Sequence, residues 1–347
     1  MKWVLLSLLS FTIFLGCQNF RYYDPAKPHR SKDQFLNNYD NSPKSSVWKW
    51  QWERLTTNAP PEPPFQPEIL KTDTAALSAN RDKTSFTWVG HSTALLQLEG
   101  VNVLIDPVFS ERVSPVSFFG PKREVPLPFE LAALPPIDVV LISHAHYDHL
   151  DLPTLKALYK RAPEKTLFLV PLGIQSLLQS EGLKNVQEVD WWEQKQIQNL
   201  TMTFTPAQHW TRRGLFDTNQ TLWGGWFVAA KKFKFFFAGD TGYSKDFKDI
   251  QARLGDVDLA MLPIGAYAPR WFMQKNHVNP EEAVQIHEDL HAKLSIGVHW
   301  GTFRLSDEPM AKPAEDLQEA LNKKSISGTF RVMKHGESIY FPNTPPF

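Results

Sequence analysis

Residues 143–151 read SHAHYDHLD, directly after the apolar run IDVVLI at 137–142. Three histidines and two aspartates within nine positions suit neither a solvated face nor a core. An apolar strand that ends in such a loop belongs at a sheet edge, where a loop can gather side chains. Imidazole and carboxylate at this density fit a borderline divalent ion, zinc first among them. One ion rarely takes four ligands from six consecutive residues, because the backbone cannot wrap a tetrahedron that tightly. His144 and His146 alternate and can serve one ion, while Asp148 and His149 turn toward a second. Each ion then needs ligands from elsewhere in the chain.

The rest of the sequence offers them in one recurring setting. His209 follows TMTFTPAQ, Asp240 follows FKFFFAG and His299 follows LSIGV, so each stands where an apolar strand gives out. An open α/β sheet places its chemistry at such exits. Any one of the three alone reads as a satisfied buried or surface residue; all three beside an HxHxDH run read as the missing ligands. Further apolar runs bounded by turn residues, among them VNVLID, TLFLVP, WGGWFVAA and DLAMLPIG, read as strands. Helices are expected at 151–161, 173–181, 280–294 and 312–323. The third has a full start signal: Asn279 caps, Pro280 takes the first turn and Glu282 closes a capping box. Ala283, Ile286, Leu290 and Leu294 are its expected buried stripe. Interleaved strands and helices, with no repeat of 20–50 residues, indicate an α/β fold and not a solenoid.

The chain has 347 residues, with 37 Lys plus Arg against 37 Asp plus Glu, a balance that argues against nucleic acid as a partner. It opens MKWVLLSLLSFTIFLGCQNF, one Lys ahead of an apolar stretch too short to span a bilayer, which reads as a secretory signal. The end of that stretch, FLGC, resembles the lipobox of bacterial lipoproteins, with Phe14 where Leu is usual. In that family the cysteine, here Cys17, becomes the lipidated first residue. The resemblance implies a bacterial envelope location, membrane-anchored through Cys17, and Gln18 at the next position permits passage to an outer membrane. Cys17 is the only cysteine, so no disulfide and no thiolate ligand is available inside the mature domain. The division expected is a signal peptide at 1–16, an extension and linker at 17–83 rich in Pro and Asn, and one domain at 84–347. Within the linker, VWKWQWERL either sets Trp48, Trp50 and Trp52 along one side of an extended segment or forms a short helix packed on the domain.

HxHxDH followed by His, Asp and His resembles the signature of the metallo-β-lactamase superfold, a four-layered αβ/βα sandwich. The match is residue by residue at His144, His146, Asp148, His149, His209, Asp240 and His299. The resemblance implies that His144, His146 and His209 hold a first ion, that Asp148, His149 and His299 hold a second, and that Asp240 bridges them. The best-known zinc β-lactamases place a cysteine at that last point, and this chain has none to offer. The segments WVGHSTALLQLEGVNVLIDPVFSERVSP, GPKRE, FFFAGDTGYS, PIGAYAPRWFMQKNHVNPEEAVQIH and GVHWGTF resemble the N-acylphosphatidylethanolamine-hydrolysing phospholipase D group. They imply a metal-dependent phosphodiesterase acting on that lipid or a related phospholipid. Two divalent ions about 3.5–4 Å apart can share a hydroxide and clamp a phosphoryl oxygen, with Asp240 and Asp148 as carboxylates of the catalytic centre. His277, just ahead of the helix at 280, is placed to protonate a leaving alkoxide. Rival readings are a lactonase, an amidase, a nucleotide phosphodiesterase and a non-catalytic metal-binding lipoprotein.

Several further residues carry weaker signals. His287 and His291 have the i, i+4 spacing of a helical metal pair but flank a buried stripe. His91 in GHST is expected to support the site and not to bind the ions itself. Arg212 and Arg213 either contact phosphate or form a solvated pair. SPVSFFGPKREVPLPF at 114–129 joins aromatics to bases, as a loop over the site, a loop against a bilayer or a plain ordered loop.

Overall fold

A computed structural model of the chain describes residues 20–42, 46–56 and 65–342. The signal-like run at 1–16 and Cys17 lie outside the described residues. Among the described residues no helix is long and apolar enough to cross a membrane.

Two seven-stranded sheets share one plan. The first runs, edge to edge, Ser338–Tyr340, Ser85–Gly90, Thr93–Leu98, Val101–Ile105, Val139–Leu141, Leu167–Pro171 and Val186–Val189. Its first four strands pair antiparallel and its last four parallel. The second runs Gln194–Ile197, Leu200–Thr205, Gly225–Ala229, Lys234–Phe237, Leu259–Pro263, Leu294–Val298 and Phe330–Val332, again antiparallel and then parallel.

Period-two alternation decides which side chains face which layer. Phe86, Leu96, Val103 and Ile105 point to the gap between the sheets, where Met202, Phe204, Trp226 and Phe237 meet them. Their neighbours Leu95, Leu104, Val140 and Phe168 point outward, onto Leu155, Leu158 and Leu178 of the helices Leu152–Arg161 and Gln175–Ser180. Phe236 turns away from the gap in the same manner and meets Phe247 of helix Asp246–Leu254 edge-on. Helices therefore cover both outer faces. The fold is the four-layered α/β sandwich.

Two local expectations change, and one open alternative is decided. The capping box at Asn279 and Glu282 forms as expected, but the helix runs only Pro280–Asp289, not to 294. His291 takes a left-handed backbone with φ 47°, which turns the chain and frees Leu294 to open the next strand. VWKWQWERL is the helical alternative, within Val47–Thr56. Trp50 is buried, stacked on Phe272 at 4.8 Å with its indole N–H donating to Asp307, while Trp48 and Trp52 face outward. Where a linker is expected, residues 20–42 pack back on the domain. Phe35 is fully buried in the core between the sheets, and Asp190 gathers Lys27, His29 and Arg30 at 2.5, 2.8 and 2.6 Å.

Candidate metal centre

Every expected site residue arrives at one edge of the sandwich. His144, His146, Asp148 and His149 follow Val139–Leu141, His209 follows Leu200–Thr205, Asp240 follows Lys234–Phe237 and His299 follows Leu294–Val298. His277 enters from the turn ahead of helix Pro280–Asp289. The approach to Asp240 depends on Gly239. Its φ is +66°, and a Cβ there would lie 2.5 Å from the Gly224 carbonyl oxygen.

The side chains form two adjoining groups. In the first, His146 Nδ1 lies 2.9 Å from His144 Nε2 and 3.3 Å from His209 Nε2. In the second, Asp148 Oδ2 lies 3.3 Å from both His149 Nε2 and His299 Nε2. Asp240 Oδ2 stands between them, 3.1 Å from His299 Nε2, 3.3 Å from His149 Nε2, and 3.9 Å from His144 Nε2, His209 Nε2 and His277 Nδ1.

These donors fit divalent ions on several grounds. Tetrahedral bonds of 2.0–2.1 Å to zinc separate two ring nitrogens by roughly 3.3 Å, close to the spacing in the first group. Buried polar atoms are left without a hydrogen-bond partner at His149 Nε2, Asp240 Oδ1 and His277 Nδ1. Charge points the same way. Burial is the largest influence on each ring and pushes His144 and His209 well down, and His146 and His277 down to about 4. For His149 and His299 the carboxylates of Asp240 and Asp148 outweigh burial, raising His299 to about 9 and His149 well above its ordinary value. Two buried carboxylates thus demand positive charge, and without an ion only protons on the rings supply it.

The surroundings fix which nitrogen of each ring faces inward. The buried carboxylate of Asp106 accepts from Ser143 N–H at 2.8 Å, from Ser143 Oγ–H at 2.5 Å and from His149 Nδ1–H at 2.6 Å. Ser143 Oγ, its proton so committed, accepts in turn from His144 Nδ1–H at 2.9 Å. His209 Nδ1–H donates to the Asn276 carbonyl at 2.9 Å. Nε2 is thereby the atom that each of these three rings turns to the cluster. His91 joins the second group, with Nε2 3.0 Å from Asp148 Oδ2 and its ring beside those of His149 and His299. Asp106 went unnoticed in the sequence, although LIDP ends an apolar strand on a carboxylate, the setting that singled out Asp240.

Other candidates resolve differently. Arg213 is half-buried and does not form a solvated pair with Arg212. It donates to the carbonyls of Ala145 and Leu150 at 2.8 and 2.9 Å and lies 3.9 Å over the Tyr147 ring, so it braces the histidine loop from behind. Arg212 is exposed, near the Trp210 ring. His287 is a satisfied core histidine, bonded to Ser295 Oγ at 2.8 Å, and exposed His291 pairs with Asp256. The 114–129 segment is rooted beside the site where Arg123 stacks on Phe303 at 4.8 Å, and its tip exposes Phe118 and Phe119. A cavity of about 850 Å³ opens between this segment and the loop at 212–221, bounded by Val116, Tyr147, Leu152 and Arg213.

Comparison with known proteins covers the same part of the chain. The family profile described as Beta-lactamase superfamily domain matches residues 101–300, a span that holds the whole seven-residue cluster. The chain belongs to the beta-lactamase superfamily. It is a metal-dependent hydrolase of that fold. It is 42% identical over 249 residues to N-acyl-phosphatidylethanolamine-hydrolyzing phospholipase D 1 of Caenorhabditis elegans, covering 69% of this hydrolase and 70% of that protein. It is 40% identical over 239 residues to the mitochondrial enzyme of the same description in Saccharomyces cerevisiae, covering 67% of this chain and 50% of the yeast one. Among solved structures, Igni18, a metallo hydrolase from Ignicoccus hospitalis, superposes with a TM-score of 0.55 at 21% identity. That likeness spans 75% of this hydrolase and 99% of Igni18, and carries the fold alone.

Proposed function

We propose that this hydrolase is a phosphodiesterase of the phospholipase D type, acting on N-acylphosphatidylethanolamine or a related phospholipid. The observation that carries the substrate class is the likeness to the worm and yeast phospholipases D, at 42% and 40% identity. His144, His146 and His209 would hold a first zinc ion, Asp148, His149 and His299 a second, and Asp240 would bridge the two. When bound, such a pair supplies a water nucleophile near neutral pH and neutralises charge on the phosphoryl oxygens.

The remaining work falls to the chain. Asp240 and Asp148 keep the cluster's donors in register, and Asp106 and Ser143 hold two of its rings in one tautomer. His277 stands beside the cluster with Nδ1 uncommitted. It takes up the proton that the attacking water releases and passes it to the leaving alcohol oxygen as the phosphorus–oxygen bond breaks. The products are phosphatidic acid and an alcohol, N-acylethanolamine when the substrate is N-acylated. The cavity against Tyr147 has room for apolar chains. Phe118 and Phe119 on one of its loops, and Leu215 and Phe216 on the other, are all exposed, which suits a substrate drawn from a lipid surface. A lipid anchor on Cys17 would hold the enzyme at the bacterial envelope.

The test is hydrolysis of N-acylphosphatidylethanolamine vesicles in water enriched in heavy oxygen. The label is expected on the phosphate of phosphatidic acid. Label in a fatty-acid carboxylate would make the enzyme an esterase or amidase and end the phosphodiesterase reading. His277→Ala should slow the natural lipid far more than an activated nitrophenyl phosphodiester, whose leaving group needs no proton.

A further inference from the structure

Residues 20–42 lie outside the matched span of 101–300, yet they reach the metal centre. The strap is pinned in two places before it gets there. Asp190 gathers its three basic groups, and Phe35 is sunk in the core with its N–H on the Asn219 carbonyl. Beyond Phe35 the chain delivers Asn37 to the main chain of His209. Asn37 Oδ1 accepts from His209 N–H at 3.0 Å, and Asn37 Nδ2 donates to the His209 carbonyl at 3.1 Å. The carboxamide thus pairs with both main-chain groups of His209 as a residue of a neighbouring β-strand would. Oδ1 also accepts from Trp223 Nε1–H at 3.0 Å, and Nδ2 donates to the Asp40 carbonyl at 3.2 Å. Among the described residues no other group bonds the His209 N–H or carbonyl.

We propose that Asn37 is a positioning residue for the metal centre, locking the backbone of His209 so that its ring meets His144 and His146. The inference rests on the reading of His209 as a ligand. His209 is buried beyond the end of its strand, between an isolated bridge of Gln208 to Gly242 and a bond from Asn219 N–H to the Thr211 carbonyl, neither of which reaches its own main chain. Asn276 fixes the rotation of its ring, and Asn37 fixes where the ring starts from. Without the carboxamide, two buried main-chain groups lose their partners and the loop must shift or admit water to satisfy them. Either response moves one of three donors.

The experiment titrates the metal-free full-length protein with cobalt(II), following the visible absorption of the bound ion and the Kd by chelator competition. Asn37→Ala is expected to weaken one ion about tenfold or more, the usual scale for losing a group that orients a ligand, and to alter the spectrum. Asn37→Asp keeps the acceptor and loses the donor, so it should fall between, and it serves if the alanine variant does not fold. Asn38→Ala is the control: Asn38 binds Asp246 at 2.7 Å on the same strap and touches no ligand. It should lower the unfolding midpoint and leave Kd and spectrum unchanged. Equal effects of Asn37→Ala and Asn38→Ala on binding, or none from either, would overturn the proposal. His209→Ala separates the two layers of argument. If it spares both ions, the ligand reading fails and the inference falls with it; if it removes one while Asn37→Ala removes none, the inference alone fails.

Discussion

Asp106→Asn is the smallest change that tests how the rings are held. The substitution keeps shape and volume but replaces two acceptor oxygens with one acceptor and one donor. Three donors point at the native carboxylate: Ser143 N–H at Oδ1, and Ser143 Oγ–H and His149 Nδ1–H at Oδ2. An asparagine that keeps its oxygen toward Ser143 N–H turns its amide on His149 Nδ1. His149 must then carry its proton on Nε2, the atom 3.3 Å from both Asp148 and Asp240, where an ion would need the lone pair. That outcome costs about 10–100-fold in metal affinity, or about 1.4–2.8 kcal/mol. The opposite orientation spares His149 and sets the amide against Ser143 N–H, a buried donor left unpaired at a cost of about 1–3 kcal/mol of stability. Affinity or stability must therefore fall. The assay pairs chelator competition, which resolves the ion at Asp148, His149 and His299, with thermal unfolding of the metal-free protein. Ser143→Ala removes one donor and leaves the carboxylate free for His149, so its effect on that ion should be the smaller. An Asp106→Asn protein with wild-type affinity and an unchanged unfolding midpoint would refute the tautomer argument.

Three further outcomes are expected. Elemental analysis of protein purified without chelator should find about two zinc ions per chain, and Asp148→Ala should strip one before the other; a firm stoichiometry below one would sink the dinuclear reading. Burial alone would raise the Asp190 carboxyl, but His29, Lys27 and Arg30 outweigh it and hold the group below the ordinary range. Its contribution to stability is therefore complete above the unfolded value of about 3.9 and declines as pH falls through it, so the gap in unfolding midpoint between wild type and Asp190→Asn should narrow from pH 7 to pH 3; a constant gap would refute it. Fatty acid fed to a bacterial host should label the wild-type chain but not Cys17→Ser, and an unlabelled wild type would remove the proposed anchor.

The parts of this hydrolase that were legible in its sequence are those whose signal is local. An HxHxDH run is chemically out of place after an apolar strand whatever lies around it, and the strand exits at His209, Asp240 and His299 repeat one setting. The capping box at Asn279 is likewise complete within four residues. Misreadings begin where a contact of long separation decides. Leu290 and Leu294 fit one helical stripe, and only the left-handed turn at His291 shows that the second belongs to a strand. Trp50 is buried because Phe272 and Asp307 meet it, and nothing in VWKWQWERL distinguishes it from Trp48 or Trp52. Arg213 reads from the sequence as an anion contact or half of a solvated pair, and only the fold shows its Nη1 bracing two carbonyls of the histidine loop.

Asn37 is the extreme case, 172 positions from the residue it holds and set in a segment whose Pro- and Asn-rich composition reads as linker. That contrast has a physical source. A ligand must be of a particular residue type, because the ion selects its donor atoms, so the type itself is a signal. The groups that aim a ligand need only present a hydrogen-bond donor or acceptor in the right place, and Asp106, Ser143, Asn276 and Asn37 do so with a carboxylate, a hydroxyl, a main-chain carbonyl and a carboxamide. Their identity is set by the fold around them, which is why the donors could be named from the sequence and the frame that orients them could not.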